Sequence, residues 1–170
     1  EGTPDLGIQL AAEKGIVARG VLLDLPRSMP AAGRPYDVTV NQMIGPDDLD
    51  AVARVQGVEL ESGDVLLIRT GWSCHYLDMT PEEREVWRKD IRVPGLVQSH
   101  EMLGYLWDHQ IAMVASDNPG VEAFPVRRDS GFWDPNEPPP ERGPLHNGML
   151  HRPLIALLGM LLGELWNLDP

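Results

Sequence analysis

The chain has 170 residues, 42% apolar and 24% charged, which is enough for one domain with a sizeable core. Its 26 acidic residues outweigh 14 Lys plus Arg, a formal charge of −12; that balance argues against nucleic acid and against an anionic membrane surface as partners, since both require a positive footprint. Cys74 is the only cysteine, so an internal disulfide and a Cys-rich zinc site are excluded and a reducing cytoplasm fits.

Gly15 to Leu25 (GIVARGVLLDL) is β-branched and aliphatic. It predicts a largely buried strand closed by Pro26. A loop containing Pro and Gly then runs to about Gly45. Pro46, Asp47 and Asp48 open a helix, with Pro in the first turn and acids at the positive end of the dipole. Leu49, Val52 and Ala53 supply its inward face, and Gly57 ends it. Gly63 to Trp72 (GDVLLIRTGW) predicts a second strand.

Thr80-Pro81-Glu82-Glu83 is a capping box, so a short and highly charged surface helix should follow to about Lys89. Pro94-Gly95 breaks the chain before a longer amphipathic helix over 96–109. Ile111 to Ser116 predicts a third buried strand, ending in Asp117-Asn118-Pro119-Gly120. A loop rich in Pro, Gly and charge occupies 125–144, a length typical of lids and subunit contacts. The last helix and strand follow. No apolar run reaches the length of a membrane span, and the opening EGTPDLG does not read as a signal peptide. The missing initiator Met and the stop directly after a strand-like run predict a piece of a longer protein.

Alternating strands and helices imply an α/β layered domain. Ligand groups collect at strand ends in such folds, so the expected pocket lining is Asp24, the Arg69 to Trp72 segment, the Ser116 to Asn118 segment, His151 and Glu164. Glu164 lies in the apolar run from Leu161 to Leu168, where a carboxylate is costly to bury unless paired, hydrogen-bonded or bound to a cation. Together with His151 it forms half of a plausible metal site. The plainer reading puts Glu164 on the solvent side of an alternating edge strand, with His151 capping a helix. His146 competes with His151, because both precede the same helix.

Asp117 reads either as a turn former or as a pocket acid that orients a substrate. Trp72 and Trp166 read either as core or as an aromatic wall for a planar substrate. His75, His100 and His109 are taken as surface residues. Gly71-Trp72-Ser73-Cys74-His75 follows a strand but has His75 where a nucleophile elbow needs its second glycine. Cys74 is therefore taken as a small packing residue. Glycine-rich phosphate loops are absent, which argues against a nucleotide cofactor.

Four segments carry a resemblance: KGIVARGVLLDLPR (Lys14 to Arg27), GDVLLIRTGW, IAMVASDNPGVEAFP (Ile111 to Pro125), and the terminal H-x-x-L-I…G-x-x-L-G-E-L-W from His151 to Trp166. In this order and spacing they resemble the cyclase family of metal-dependent hydrolases, which includes bacterial kynurenine formamidase and isatin hydrolase. The resemblance is closest to the family's longer members. It implies a layered β/β/α swivelling-type domain, a divalent metal (zinc or manganese), hydrolysis of a C–N bond in an aryl formamide, lactam or other amide, and a homodimer or homotetramer.

By the same resemblance His151 and Glu164 match the distal metal and catalytic pair, and Asp117 matches the acid at a strand end. The family's H-x-G-T-H-x-D segment would stand before the first strand, and only thirteen residues precede Lys14. Two ligands do not complete a zinc or manganese shell. The rival expectation is a non-catalytic binding or scaffold relative that lacks the main metal motif.

Overall fold

A computed structural model describes residues 12–125. In chain order the described elements are β1 (Gly20–Asp24), α1 (Leu25–Ala31), β2 (Met43–Ile44), α2 (Pro46–Gln56), β3 (Val65–Arg69), α3 (Trp72–Asp78), α4 (Pro81–Lys89), β4 (Gly95–Leu96), α5 (His100–Asp108) and β5 (Met113–Ser116). The predicted final helix and strand, with His146, His151, Glu164 and Trp166, lie outside the described residues.

The first three predicted strands form one parallel sheet in the order β1-β3-β5. Gly20 pairs with Val65, and Val65 with Met113, and the register continues without a slip. Side chains alternate across it because successive strand residues point to opposite faces. Val21, Leu23, Leu66 and Ile68 point into the core, where Met29 of α1, Leu49, Val52 and Ala53 of α2, and Met102, Leu103 and Leu106 of α5 cover them. On the other face Leu22, Leu67 and Met113 remain 49%, 37% and 40% exposed. The third strand was expected to be buried. Its face pattern is exposed to half-buried instead, because β5 is a sheet edge among the described residues.

Helix α2 forms as its sequence predicts. Asp48 accepts from the Gly45 N–H at 2.9 Å, and Gly57 closes the helix in the left-handed conformation, φ 67°, where glycine meets no Cβ penalty. Helix α4 has its capping box, with Thr80 N–H donating to Glu83 at 2.7 Å and Glu83 N–H to Thr80 at 3.2 Å. None of its residues is buried.

Four boundaries differ from expectation. The first strand starts at Gly20 rather than Gly15, and 15–19 are exposed outside it. Pro26 does not end a strand into a loop; it sits in the first turn of α1, whose N-cap Asp24 accepts from Arg27 N–H at 3.3 Å. The missing proline N–H is one that no helix uses there. Trp72 belongs to helix α3, not to a strand. The helix predicted from Leu96 starts at His100, with the Ser99 hydroxyl accepting from Met102 N–H at 3.2 Å.

Gly95 and Leu96 are spent on a two-strand parallel pairing with Met43 and Ile44. The same segment is flanked on its other side by the 121–124 chain, through Leu96 N–H to Val121 O at 3.1 Å and Ala123 N–H to Leu96 O at 3.0 Å. Two chains therefore hold 93–96 between them.

At the N-terminal ends of β1 and β3, Arg19 makes a forked pair with the buried Asp64, Nε to Oδ1 at 2.8 Å and Nη2 to Oδ2 at 2.7 Å. Glu61 N–H donates to the same carboxylate at 2.7 Å. The Arg19 hydrogen bond, against the opposing cost of burial, holds Asp64 below its ordinary value of 3.8. A depressed acid contributes stability above its unfolded-state pKa and loses it as pH falls through the folded value. Asp64→Asn is therefore expected to destabilise the protein at neutral pH, with the gap to wild type closing below pH 3.8. Urea midpoints measured across the acid range check this; a gap that does not narrow on acidification refutes it.

Candidate functional site

The ends of β1, β3 and β5 lie side by side, because all three strands run parallel and in register. This edge brings together Asp24, Arg69, Thr70 and Asp117, as their positions at strand ends predict. Arg69 Nη1 donates to Asp24 Oδ1 at 2.8 Å. Asp24 thus serves two elements at once, pairing across the sheet and capping α1.

Asp117 is the organising group. Its Oδ1 accepts from Thr70 N–H at 2.6 Å and lies 2.6 Å from Thr70 Oγ1, while Oδ2 accepts from Gly71 N–H at 2.8 Å. Both carboxylate oxygens are therefore engaged by the β3–α3 turn. Gly71 is left-handed, φ 78°, and this conformation turns its N–H toward the carboxylate as the chain enters α3. The Ser73 hydroxyl donates to the Asp117 carbonyl, and Asn118 Nδ2 donates to the Pro94 carbonyl. The segment at 71–75 is thus a helix start tied to Asp117.

Sequence reading missed Tyr36. Its hydroxyl donates to Thr70 O at 2.8 Å, closing the turn from the side opposite Asp117. Burial, followed by the nearby Asp117 carboxylate, pushes the phenol well up from its ordinary value, so it acts as a neutral donor. Tyr36 lies in a loop with no periodicity, and nothing in its local sequence marks it.

Cys74 is exposed, not packed as expected; it occupies an outward position on α3 near Arg69. Of the three histidines taken as surface residues, His75 and His109 are half-buried and His100 is exposed. His109 Nδ1 lies 2.9 Å from Tyr105 O at the end of α5.

Trp72 is 8% exposed. It stacks on Tyr76 with centroids 5.0 Å apart and meets Trp87 of α4 at 5.3 Å. Tyr76 meets Trp87 edge-on at 5.5 Å, and Arg84 sits 4.9 Å above the Tyr76 ring. The buried Trp72 indole N–H has no hydrogen-bond acceptor among the described residues. Trp87 turns outward from this cluster to line a cleft of about 360 Å³ with Val38, Thr39, His75, Met79 and Val86. A Trp beside a Val on an otherwise charged helix was the available sequence signal.

Among the described residues, no group of three or more His, Cys, Asp or Glu could hold a metal ion. Likewise, no helix among them is long and apolar enough to cross a membrane. Residues 6–123 match the family model described as "Putative cyclase". The fold is similar to the crystal structure of a novel cyclase at 27% identity and a TM-score of 0.59, over 71% of this chain and 37% of that one. The matched part of this chain therefore covers well under half of that solved relative. Comparison with curated proteins gives no match.

Proposed function

Because the chain belongs to the cyclase family, we propose that the protein is a metal-dependent hydrolase of the C–N bond in an aryl formamide, lactam or related amide, built on a layered β/β/α swivelling-type domain. One observation carries the reading: three parallel strand ends converge on a polar edge formed by Asp24, Arg69, Thr70 and Asp117. Ligands of open α/β sheets gather outside the carboxyl ends of the strands.

The described residues do not by themselves fit a metal. The proposed ligands are His151 and Glu164, with further donors from outside 12–125. A divalent zinc or manganese ion held there would polarise a carbonyl and acidify bound water. Glu164 would accept the proton of the attacking water. Asp117 would act by fixing the β3–α3 turn beside the substrate, since both its oxygens already serve Thr70 and Gly71. A homodimer or homotetramer in the reducing cytoplasm, acting on a small-molecule substrate, completes the proposal.

The test expresses the whole reading frame, supplies zinc or manganese, and assays N-formylkynurenine and isatin. Turnover that requires the added ion and is lost in Glu164→Ala supports the reading. Turnover undiminished in Glu164→Ala refutes the role given to that residue. No turnover of any aryl amide, with the ion bound, favours the non-catalytic relative.

A further inference from the structure

Among the described residues, the cleft beside α4 shares no lining residue with the polar strand-end cluster. Its walls are apolar: Val38, Met79, Val86 and the face of Trp87. Trp87 is backed by Trp72 and Tyr76, with centroids 5.3 and 5.5 Å away, and its indole N–H donates to Arg92 O at 3.1 Å. A ring held at its edge and from behind is a rigid platform, so stacking on it costs little ordering of the protein. Val86 beside it is 69% exposed, although helix α4 is otherwise strongly charged.

The rim sets the charge of the occupant. Glu82 and Glu83 stand there against Arg92, whose Nε is already held by Asp90 at 2.9 Å. This rim has no surplus positive charge with which to hold a carboxylate. His75 supplies a hydrogen-bonding group close to both Asp37 and Glu83. A volume of about 360 Å³ is near the lower limit of small-molecule sites, which suits one or two fused rings.

We infer that this cleft is a subsite for the uncharged aryl ring of a small aryl amide, with Trp87 as the stacking wall and the rim rejecting anionic rings. The inference rests on the proposed amide chemistry for its choice of ligand, and it extends that reading by naming where the ring sits. α3 opens directly after Thr70 and Gly71, so the cleft and the polar strand-end cluster share one connecting turn.

The test is calorimetric binding to the whole protein, read without turnover. The probes are formanilide, N-cyclohexylformamide and 4-formamidobenzoate. Formanilide is expected to bind several-fold more tightly than the cyclohexyl analogue, because only the aryl ring stacks. 4-Formamidobenzoate should bind more weakly still. Trp87→Ala should weaken formanilide by about tenfold while Trp87→Phe retains most of the affinity. Val86→Arg changes only an exposed side chain, so it keeps the fold and should block the cleft.

Equal affinity for the aryl and cyclohexyl probes, or formanilide binding unaffected by both Trp87→Ala and Val86→Arg, overturns the subsite. So does the absence of any binding. Amide turnover with no such binding sinks the subsite and leaves the hydrolase reading standing; binding here with no turnover does the reverse.

Discussion

Asp117→Ala is expected to lower the unfolding free energy by about 3 kcal/mol, roughly two charge-assisted hydrogen bonds' worth. The carboxylate receives the N–H groups of Thr70 and Gly71 and lies beside the Thr70 hydroxyl. Thr70 is fully buried, so its N–H cannot recover a water partner without opening the turn. The Tyr36 bond to Thr70 O would then hold only one side of that turn. Asp117→Asn keeps one acceptor oxygen and should lose about half as much.

Urea unfolding of both variants, set beside their turnover, separates two roles for this acid. A clamp loses stability in step with hydrogen bonds removed, and activity follows the turn. An acid that meets substrate directly would leave the unfolding midpoint nearly unchanged while activity falls. The second pattern would remove the clamp role assigned to Asp117.

Gly95→Ala is expected to cost about 3 kcal/mol or more, at the upper end of overpacking penalties. A Cβ there would lie 2.5 Å from Ala123 N and 2.7 Å from Glu122 O. These are backbone atoms and cannot swing aside as a side-chain tip would. Gly95 N–H is also held by Gln42 O at 3.0 Å, so the strand cannot retreat without giving up its pairing with β2. The substitution should separate 121–124 from β4 and release the neighbouring Val93–Phe124 bridge. Hydrogen exchange at Val93, Leu96, Ala123 and Phe124 checks this. Protection equal to wild type at all four would show that the strands adjust at little cost.

Much of the described fold is legible in local sequence because its signals are local. The aliphatic runs in GVLLD and VLLIR lie on adjacent strands, and their continuous apolar stretch before Asp24 and Arg69 suits a parallel sheet covered by helices. The Pro-Asp-Asp start and Gly57 end of α2, and the capping box of α4, satisfy helix-end groups within a few residues of themselves. Helix α1 was missed because Pro26 and Pro30 read as loop residues. Only the capping bond from Asp24 shows that Pro26 sits where a helix tolerates it.

By itself the sequence determined the three strands of the main sheet, where α2 and α4 start, and that strand ends carry the polar residues Asp24, Arg69, Thr70 and Asp117. Tertiary structure alone decided their partners. It spent both oxygens of Asp117 on a turn 46 and 47 residues earlier, recruited Tyr36 from an unpatterned loop, and buried Trp72 so that Trp87 faces the cleft. Helix ends and strand patterns are set by neighbours in sequence, whereas a side chain's hydrogen-bond partners depend on which distant elements the sheet brings beside it.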